Sequence, residues 1–223
     1  MNYRNLTQEE IIALEQQGCS AEDWSRVEIN PKTDLRRIIN ISFSGFIKIG
    51  LLDGEFCLAG GIKKKSTLKN ANLHNCIIGD NVLIENVQNY IANYTIGNDT
   101  YIQNIYYLYV DRMSSFGNGI EAAVLNETGG REVAIYDGLS AHFAYIYSFY
   151  RHRPELIKNM KKMITDYTQK VTSNMGTIGN KVRIVNVDAI KNVRIGSYAT
   201  LEGCQLLENG SINSNQEDPI HIG

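Results

Sequence analysis

The 223-residue chain lacks the features of several common protein classes. Only 3 residues are proline, and no run of apolar residues approaches the length of a membrane-spanning helix. The first ten residues, MNYRNLTQEE, contain no apolar segment of the kind that marks a secretory signal. The formal net charge is −2, which argues against a nucleic-acid binder held by bulk electrostatics. We therefore expect a cytoplasmic protein with no membrane span and no nucleic-acid partner.

The four cysteines are far apart and form no CxxC pair. They are Cys19, Cys57, Cys76 and Cys204. Without a secretion signal, this spacing predicts reduced thiols rather than a disulfide framework or a zinc ribbon. By contrast, the chain has 28 isoleucines, 23 asparagines and 19 glycines. Isoleucine favours strands, and asparagine tolerates the left-handed backbone of tight turns. This composition predicts many short strands joined by tight turns.

An internal repeat organises much of the sequence. The segment IGDNVLIENV (78–87) aligns with IGNKVRIVNV (178–187), and the glycines that begin successive units lie 17 or 18 residues apart. One large apolar residue marks each six-residue step: Ile78, Ile84, Tyr90, Ile96, Ile102 and Leu108, then Ile178, Ile184 and Ile190, and after a shift of one residue Ile195, Leu201 and Leu207. Three such steps fit one coil of a triangular solenoid, in which each apolar residue stacks on its equivalent one coil away. An antiparallel sandwich is the alternative.

The repeat predicts four parts of the chain. Residues 1–30 form a helical cap, which begins at a capping box of Thr7 and Glu10. Residues 31–110 and 176–223 form β-helix coils, and the second set is expected to be truncated. Between them, residues 111–175 lose the six-residue step. That segment predicts an inserted hairpin followed by two helices, the second of which has Pro154 in its first turn.

The hexads resemble the left-handed parallel β-helix of hexapeptide-repeat proteins, many of which are sugar acyltransferases. More narrowly, the chain resembles a largely uncharacterised family of bacteroidete proteins that carry this repeat. The matching stretches include YRNLTQEEIIALEQQGCSAEDWSRV (3–27), LHNCIIGDNVLIENV (73–87), IANYTIG (91–97), FGNGIEAAVLNETGGREVAIYDGLSAHFAY (116–145) and YRHRPELI (150–157). The resemblance implies a mainly β fold with a left-handed parallel β-helix. It also implies acyl-donor binding between the β-helices of a homotrimer, often with a catalytic histidine.

His74 is the candidate catalytic residue. A histidine on a coil can take a proton from an acceptor hydroxyl or amine, because imidazole titrates near neutral pH. The competing interpretation is an outward or interface histidine, since the sequence offers it no obvious carboxylate partner. A zinc site of three histidines is not predicted, because the four histidines are scattered: His74, His142, His152 and His221. We expect no bound metal and no bound cofactor.

The insert supplies the candidate substrate-binding residues. A charged turn with two glycines and a basic triplet could together clamp a sugar phosphate or a nucleotide diphosphate. These residues are Asn126, Glu127, Gly129, Gly130 and Arg131 in the turn, and Arg151, His152 and Arg153 at the helix boundary. Alternatively, Glu127, Arg131, Glu132 and Arg151 pair among themselves and hold the insert to the β-helix.

Two functions remain open from the sequence. The first is an acyltransferase that acts on a sugar, a sugar phosphate or a nucleotide sugar, with His74 as base and acetyl-coenzyme A as acyl donor and co-substrate. The second is a non-catalytic binding or trimerisation module of a longer protein.

Overall fold

We examined a computed structural model of the chain, which describes residues 3–123 and 129–223. The protein is mainly β, as the composition predicts. Three α-helices are described: α1 (Gln8–Gln16), α2 (Ala141–Phe149) and α3 (Pro154–Val171). The strands are β1 (Arg4–Asn5), β2 (Ser20–Ala21), β3 (Val27–Ile29), β4 (Ile38–Ile49), β5 (Glu55–Cys57), β6 (Lys63–Lys65), β7 (Leu68–Ile78), β8 (Leu83–Ile96), β9 (Tyr101–Tyr109), β10 (Glu121–Ala122), β11 (Val133–Ala134), β12 (Gly176–Ile178), β13 (Arg183–Ile195), β14 (Thr200–Glu202), β15 (Leu206–Ile212) and β16 (His221–Ile222).

Parallel strands stack as successive coils around one apolar core. Within the regular part, each residue pairs with another 17 or 18 positions along the chain, as Ile178 does with Ile195 and Ile78 with Ile96. The prediction was wrong for Tyr90, which is 41 % exposed, and its neighbour Ile91 is buried in its place. The buried apolar residues form three columns. They are Ile38, Leu68, Ile84, Ile102, Ile184 and Leu201; Phe43, Leu73, Ile91, Leu108 and Ile190; and Ile49, Ile78, Ile96, Ile178 and Ile195. Because one coil cannot bury its own core, the stability of this arrangement comes from stacking.

Asparagine accounts for the corners between the strands. Five asparagines at one corner all have positive φ: Asn40, Asn70, Asn86, Asn104 and Asn186. Each of the first four side-chain amides in this asparagine ladder donates a hydrogen bond to the amide oxygen of the next, over 2.9 to 3.3 Å. A second ladder joins Asn75 to Asn93 and Asn192 to Asn209. Asparagine serves here because it tolerates left-handed backbone and offers both a donor and an acceptor along the stack.

A glycine column forms the third corner. A Cβ atom on Gly97 would lie 2.6 Å from the carbonyl carbon and oxygen of Gly179, which is closer than packed atoms can approach. The same crowding is present at Gly79 and Gly179. Glycine is therefore needed where the backbones of successive coils meet at this corner.

The N-terminal segment lies against the first coils. α1 begins at the capping box of Thr7 and Glu10, in which each residue bonds the backbone of the other. Arg4 makes two hydrogen bonds of 2.6 and 2.7 Å to the Glu10 carboxylate. This pair holds the pKa of Glu10 at about 2, chiefly through the hydrogen bonds from Arg4.

The chain leaves the stack twice. A small antiparallel hairpin, β5–β6, interrupts the first coils between β4 and β7. The second excursion follows β9 and returns at β12. It contains the antiparallel pair β10–β11 and the helices α2 and α3, and it has its own small core. Among the described residues, no helix is both long and apolar enough to cross a membrane.

Candidate functional site

α3 is the main structural element of the insert. Pro154 occupies its first turn, where no backbone donor is needed, and Glu155 favours the same end of the helix. Its buried face presents Ile157, Met160 and Ile164 at helical spacing. These residues pack against β11 and against Tyr147 of α2, and together they form the core of the insert.

A polar junction fixes the insert to the coils. Asp137 accepts hydrogen bonds from Arg194, on a coil strand, and from the hydroxyl of Tyr167, on α3, at 2.7 Å. Its backbone carbonyl also accepts a bond of 3.0 Å from Asn213, on the final coils. The Asp137 side chain is only 11 % exposed. Partly buried, hydrogen-bonded ion pairs of this kind set the orientation of the parts they join.

A cavity of about 250 Å³ lies within the insert. Its walls come from the β10–β11 region, α2 and α3, and they are formed by Gly119, Glu121, Ala134, Tyr147, Lys161, Ile164, Thr165, Thr168 and Gln169. Lys161 and Glu121 form a loose ion pair at 3.8 Å, and both side chains are half exposed. The cavity is therefore partly apolar, with polar groups of both charges.

Tyr147 is the unusual residue of this cavity. Its side chain is fully buried, and its hydroxyl has no hydrogen-bond partner among the described residues. Burial raises the pKa of Tyr147, while the charge of the nearby Arg151 and a polar side-chain contact with it, too loose to be a well-formed hydrogen bond, oppose part of that effect. The hydroxyl therefore stays protonated at neutral pH and can donate a hydrogen bond. A buried polar group without a partner is rare, and leaving it unsatisfied costs about 1–3 kcal/mol.

Arg151 lies against the same tyrosine. The guanidinium carbon lies 4.5 Å from the centre of the Tyr147 ring, and one terminal nitrogen donates to the carbonyl of Glu132 at 2.7 Å. The Nε atom of Arg151 is buried and has no hydrogen-bond partner within residues 3–123 and 129–223. Arg151 is thus the member of the predicted basic triplet that the fold places beside the cavity.

The other two members of the triplet point to solvent. His152 is exposed and stacks on Tyr150, with ring centres 5.6 Å apart. Arg153 is exposed at the position that precedes α3, and its side chain makes no capping hydrogen bond. The three side chains of the triplet therefore do not converge on one point.

The predicted glycine turn is described only in part. Asn126 and Glu127 lie outside the described residues. Gly129 and Gly130 both have positive φ, and the Gly130 amide donates to the Glu132 carboxylate at 2.9 Å. That bond lowers the pKa of Glu132. The turn thus binds a carboxylate of its own chain, and Arg131 beside it is exposed.

His74 is exposed on the outer face of the coils. Its Nδ1 atom lies 2.8 Å from the hydroxyl of Ser44, and its Nε2 lies 2.9 Å from the side-chain nitrogen of Asn75. Two further hydrogen bonds fix the orientation of that amide, because Asn75 Oδ1 accepts from the Phe46 backbone and Asn75 Nδ2 also donates to Asn93 in the second ladder. Nε2 must then accept, so the ring proton is on Nδ1.

This assignment limits what His74 can do. Its only free lone pair points at an amide donor, and its Nδ1–H points at Ser44. A histidine that activates serine needs the reverse arrangement, with an unprotonated nitrogen facing the hydroxyl. A general-base role for His74 therefore needs the contact with Asn75 to open first. No other histidine shares this face with it, and no group of possible metal ligands occurs in the described part of the chain.

Sequence reasoning missed Tyr147, Lys161 and Glu121 as parts of one site. The available signal was a tyrosine on the apolar face of a helix, where its hydroxyl must find a partner once it is buried. The distance in sequence between Glu121 and Lys161 concealed their proximity.

The chain belongs to the family described as "Domain of unknown function (DUF4954)", which it matches over residues 3–223. It is also similar to an "Uncharacterized protein" of Treponema pallidum (strain Nichols), with 28% identity over 232 aligned positions. That alignment covers 99% of this chain and 32% of the relative. The chain therefore spans about a third of the length of this curated relative.

Proposed function

We propose that this chain is a ligand-binding module of a longer protein, in which a left-handed parallel β-helix carries a cavity for a small sugar or sugar phosphate on its insert. The stacked register of 17 or 18 residues and the three buried columns support the β-helix. The left-handed sense of the β-helix is inferred from the resemblance of the hexads to the hexapeptide repeat. The polar junction at Asp137 supports a cavity held in a fixed position on that scaffold.

One observation carries the proposal. The hydroxyl of Tyr147 is buried beside a cavity and has no partner among the described residues. The hydroxyl itself has no solvent exposure in this structure, so a small movement of the ring would open it to the cavity, where a ligand oxygen would accept its proton and remove the energetic penalty. Sites that bind small molecules commonly combine apolar walls with a few fixed polar groups, as this cavity does.

The remaining polar groups favour a ligand with hydroxyls. Thr165 and Thr168 donate their hydroxyl protons to helix carbonyls at 3.0 and 2.8 Å, so toward the cavity they can only accept. Lys161 is a donor and Glu121 an acceptor. A ligand must therefore offer both donors and acceptors, as the several hydroxyls of a sugar do. A phosphate group on the sugar would be placed best near Lys161.

The proposal is tested by thermal-shift and calorimetric titration of the intact protein with hexoses, hexose phosphates and nucleotide sugars. We expect at least one of these to stabilise the protein, and Tyr147→Phe to abolish that stabilisation. Tyr145→Phe is the matched control, since Tyr145 is exposed on the same helix. No stabilisation by any of these compounds, or equal binding by Tyr147→Phe, would contradict the proposal.

Acyl transfer is the second candidate, favoured by the exposure of His74 on the outer face of the coils and by the resemblance to sugar acyltransferases. In this alternative, the protein is a homotrimer and acetyl-coenzyme A is the acyl donor. A coupled assay for release of coenzyme A in the presence of the same sugars tests it. The candidate requires turnover that His74→Ala removes, and it fails if wild type shows none or if His74→Ala is equally active.

A further inference from the structure

Four tyrosines form a continuous aromatic surface on the outside of two adjacent coils. This tyrosine platform consists of Tyr90 on β8 and Tyr106, Tyr107 and Tyr109 on β9. Tyr90 and Tyr107 are register partners, and their rings are stacked with centres 6.2 Å apart. Tyr107 also lies 5.6 Å from Tyr106 and 5.3 Å from Tyr109. The four rings are therefore neighbours on a single face.

The scaffold beneath the tyrosine platform is rigid. Ile91 and Leu108, which alternate with the tyrosines along the two strands, are completely buried in the core. The ladder between β8 and β9 fixes the backbone on both sides of the rings. Rings on such a support lose little conformational freedom when they bind a partner, which favours affinity.

The platform presents parts of the tyrosine rings and the phenol hydroxyls to solvent, although Tyr107 stands edge-on to Tyr106 and Tyr109 and is only partly exposed. Tyr90 is 41 % exposed and Tyr106 is 46 % exposed. In the part of the chain that the structure describes, none of the four phenol oxygens has a hydrogen-bond partner. Exposed tyrosines in such a group are typical of recognition surfaces, because each combines a large apolar ring with a polar end.

The charges around the platform leave a small negative excess, to which the exposed Asp188, opposite Tyr106 on the next coil, also contributes. Lys191, in register with Tyr109 on the next coil, is paired with Glu208 at 3.0 Å. Burial is the main cause that raises the pKa of Tyr109; the charge of Lys191 lowers this pKa, and the charge of Asp111 raises it. On the other side, the register partner of Tyr109 is Ala92, which carries no charge. This excess disfavours an anionic partner and is compatible with a neutral one that offers polar groups.

We propose that the tyrosine platform binds a neutral glycan chain. The C–H faces of pyranose rings would lie on the tyrosine rings, and sugar hydroxyls would bond the free phenol groups. The spacing of the ring centres, 5.3 to 6.2 Å, is comparable with the span of one pyranose unit, so consecutive sugars would meet consecutive rings. This site lies on the coils, and it does not depend on the cavity of the insert.

Calorimetric titration of the intact protein with neutral glucose and N-acetylglucosamine oligosaccharides, from mono- to hexasaccharide, tests the proposal. We expect affinity to rise with chain length and Tyr107→Ala to weaken it about tenfold or more, as the loss of one aromatic contact would. Tyr107→Phe should keep most of the affinity, since the ring remains. The control is Tyr198→Ala, because Tyr198 lies at a corner of the coils and packs on Lys181 instead.

Tyr106→Ala provides a second test if Tyr107→Ala folds poorly, because Tyr106 lies at the margin of the platform and is more exposed. The proposal is overturned if no oligosaccharide binds, or if both alanine variants bind as wild type does. It is also overturned if sedimentation shows that the wild type self-associates through this face and that Tyr107→Ala does not. In that case the partner of the platform is a second copy of the chain.

Discussion

Replacing Asn86 should separate the two contributions that asparagine makes at a corner of the coils. Asn86 has a φ of +58°, accepts a hydrogen bond from Asn70 at 3.0 Å and donates one to Asn104 at 3.3 Å. Asn86→Ala removes both bonds and forces a residue with a Cβ into left-handed backbone without local support. Asn86→Gly removes both bonds but accepts that backbone readily.

The expected magnitudes follow from these two effects. The two bonds are exposed to solvent, so each contributes about 0.5 kcal/mol, at the low end for protein hydrogen bonds. The left-handed conformation adds about 1–2 kcal/mol for alanine. Asn86→Ala should therefore lower the free energy of unfolding by about 2–3 kcal/mol. For Asn86→Gly we expect about 1–2 kcal/mol, which includes the greater freedom of glycine in the unfolded chain.

Urea denaturation followed by circular dichroism measures both values. Asn159→Ala is the control, because Asn159 is exposed on α3, where alanine is at least as favourable. If Asn86→Gly is as destabilising as Asn86→Ala, backbone conformation is not the reason for asparagine at this corner. If neither variant loses stability, the ladder does not contribute to folding at all, and our reasoning about the corners is refuted.

Three further predictions concern the N-terminal segment, the thiols and the glycine column. Glu10→Gln should cost about 1 kcal/mol at pH 7, because it weakens the charged pair with Arg4. The pKa of Glu10 in the folded protein, about 2, is below its ordinary value of 4.5. This stabilisation is therefore present above pH 4.5 and is lost as the pH falls toward 2. Acid titration of wild type and variant should show that their free energies of unfolding converge near pH 2. Cys57 is exposed, whereas burial raises the pKa of Cys76 to about 12. A thiol reagent at pH 8 should therefore label Cys57 quickly and Cys76 only after unfolding. Early labelling of Cys76 would contradict its burial. Gly97→Ala should destabilise the coils by about 2 kcal/mol in thermal melts, since its Cβ would clash with the neighbouring backbone, and an unchanged melting temperature would show that the corner is looser than described.

Much of the architecture was accessible from the sequence because the repeat is periodic. One buried aliphatic residue at each six-residue step, with asparagine and glycine at the turns, predicts stacked strands without further information. The capping box of Thr7 and Glu10 is local in the same way and appears in the structure as predicted. The β5–β6 hairpin was not predicted, because Lys63, Lys64 and Lys65 resemble a solvated basic turn rather than a strand.

The candidate site was much less accessible. The sequence directed attention to the insert, but the cavity joins residues such as Glu121 and Lys161, which are far apart in the chain. Likewise, no spacing rule predicts that Asp137 meets Arg194 across the junction. The ring orientation of His74 depends on Asn75, which the second ladder connects to Asn93 on the next coil. These are long-range contacts, and they arise only from the complete packing of the insert against the coils.

The most direct test of the binding module is a high-resolution crystal structure of the intact protein soaked in glucose 6-phosphate. Our account predicts electron density for the sugar in the cavity of the insert, with a sugar oxygen within hydrogen-bond distance of the Tyr147 hydroxyl. Density for water alone at that hydroxyl, with the sugar absent from the cavity or bound elsewhere, would contradict it.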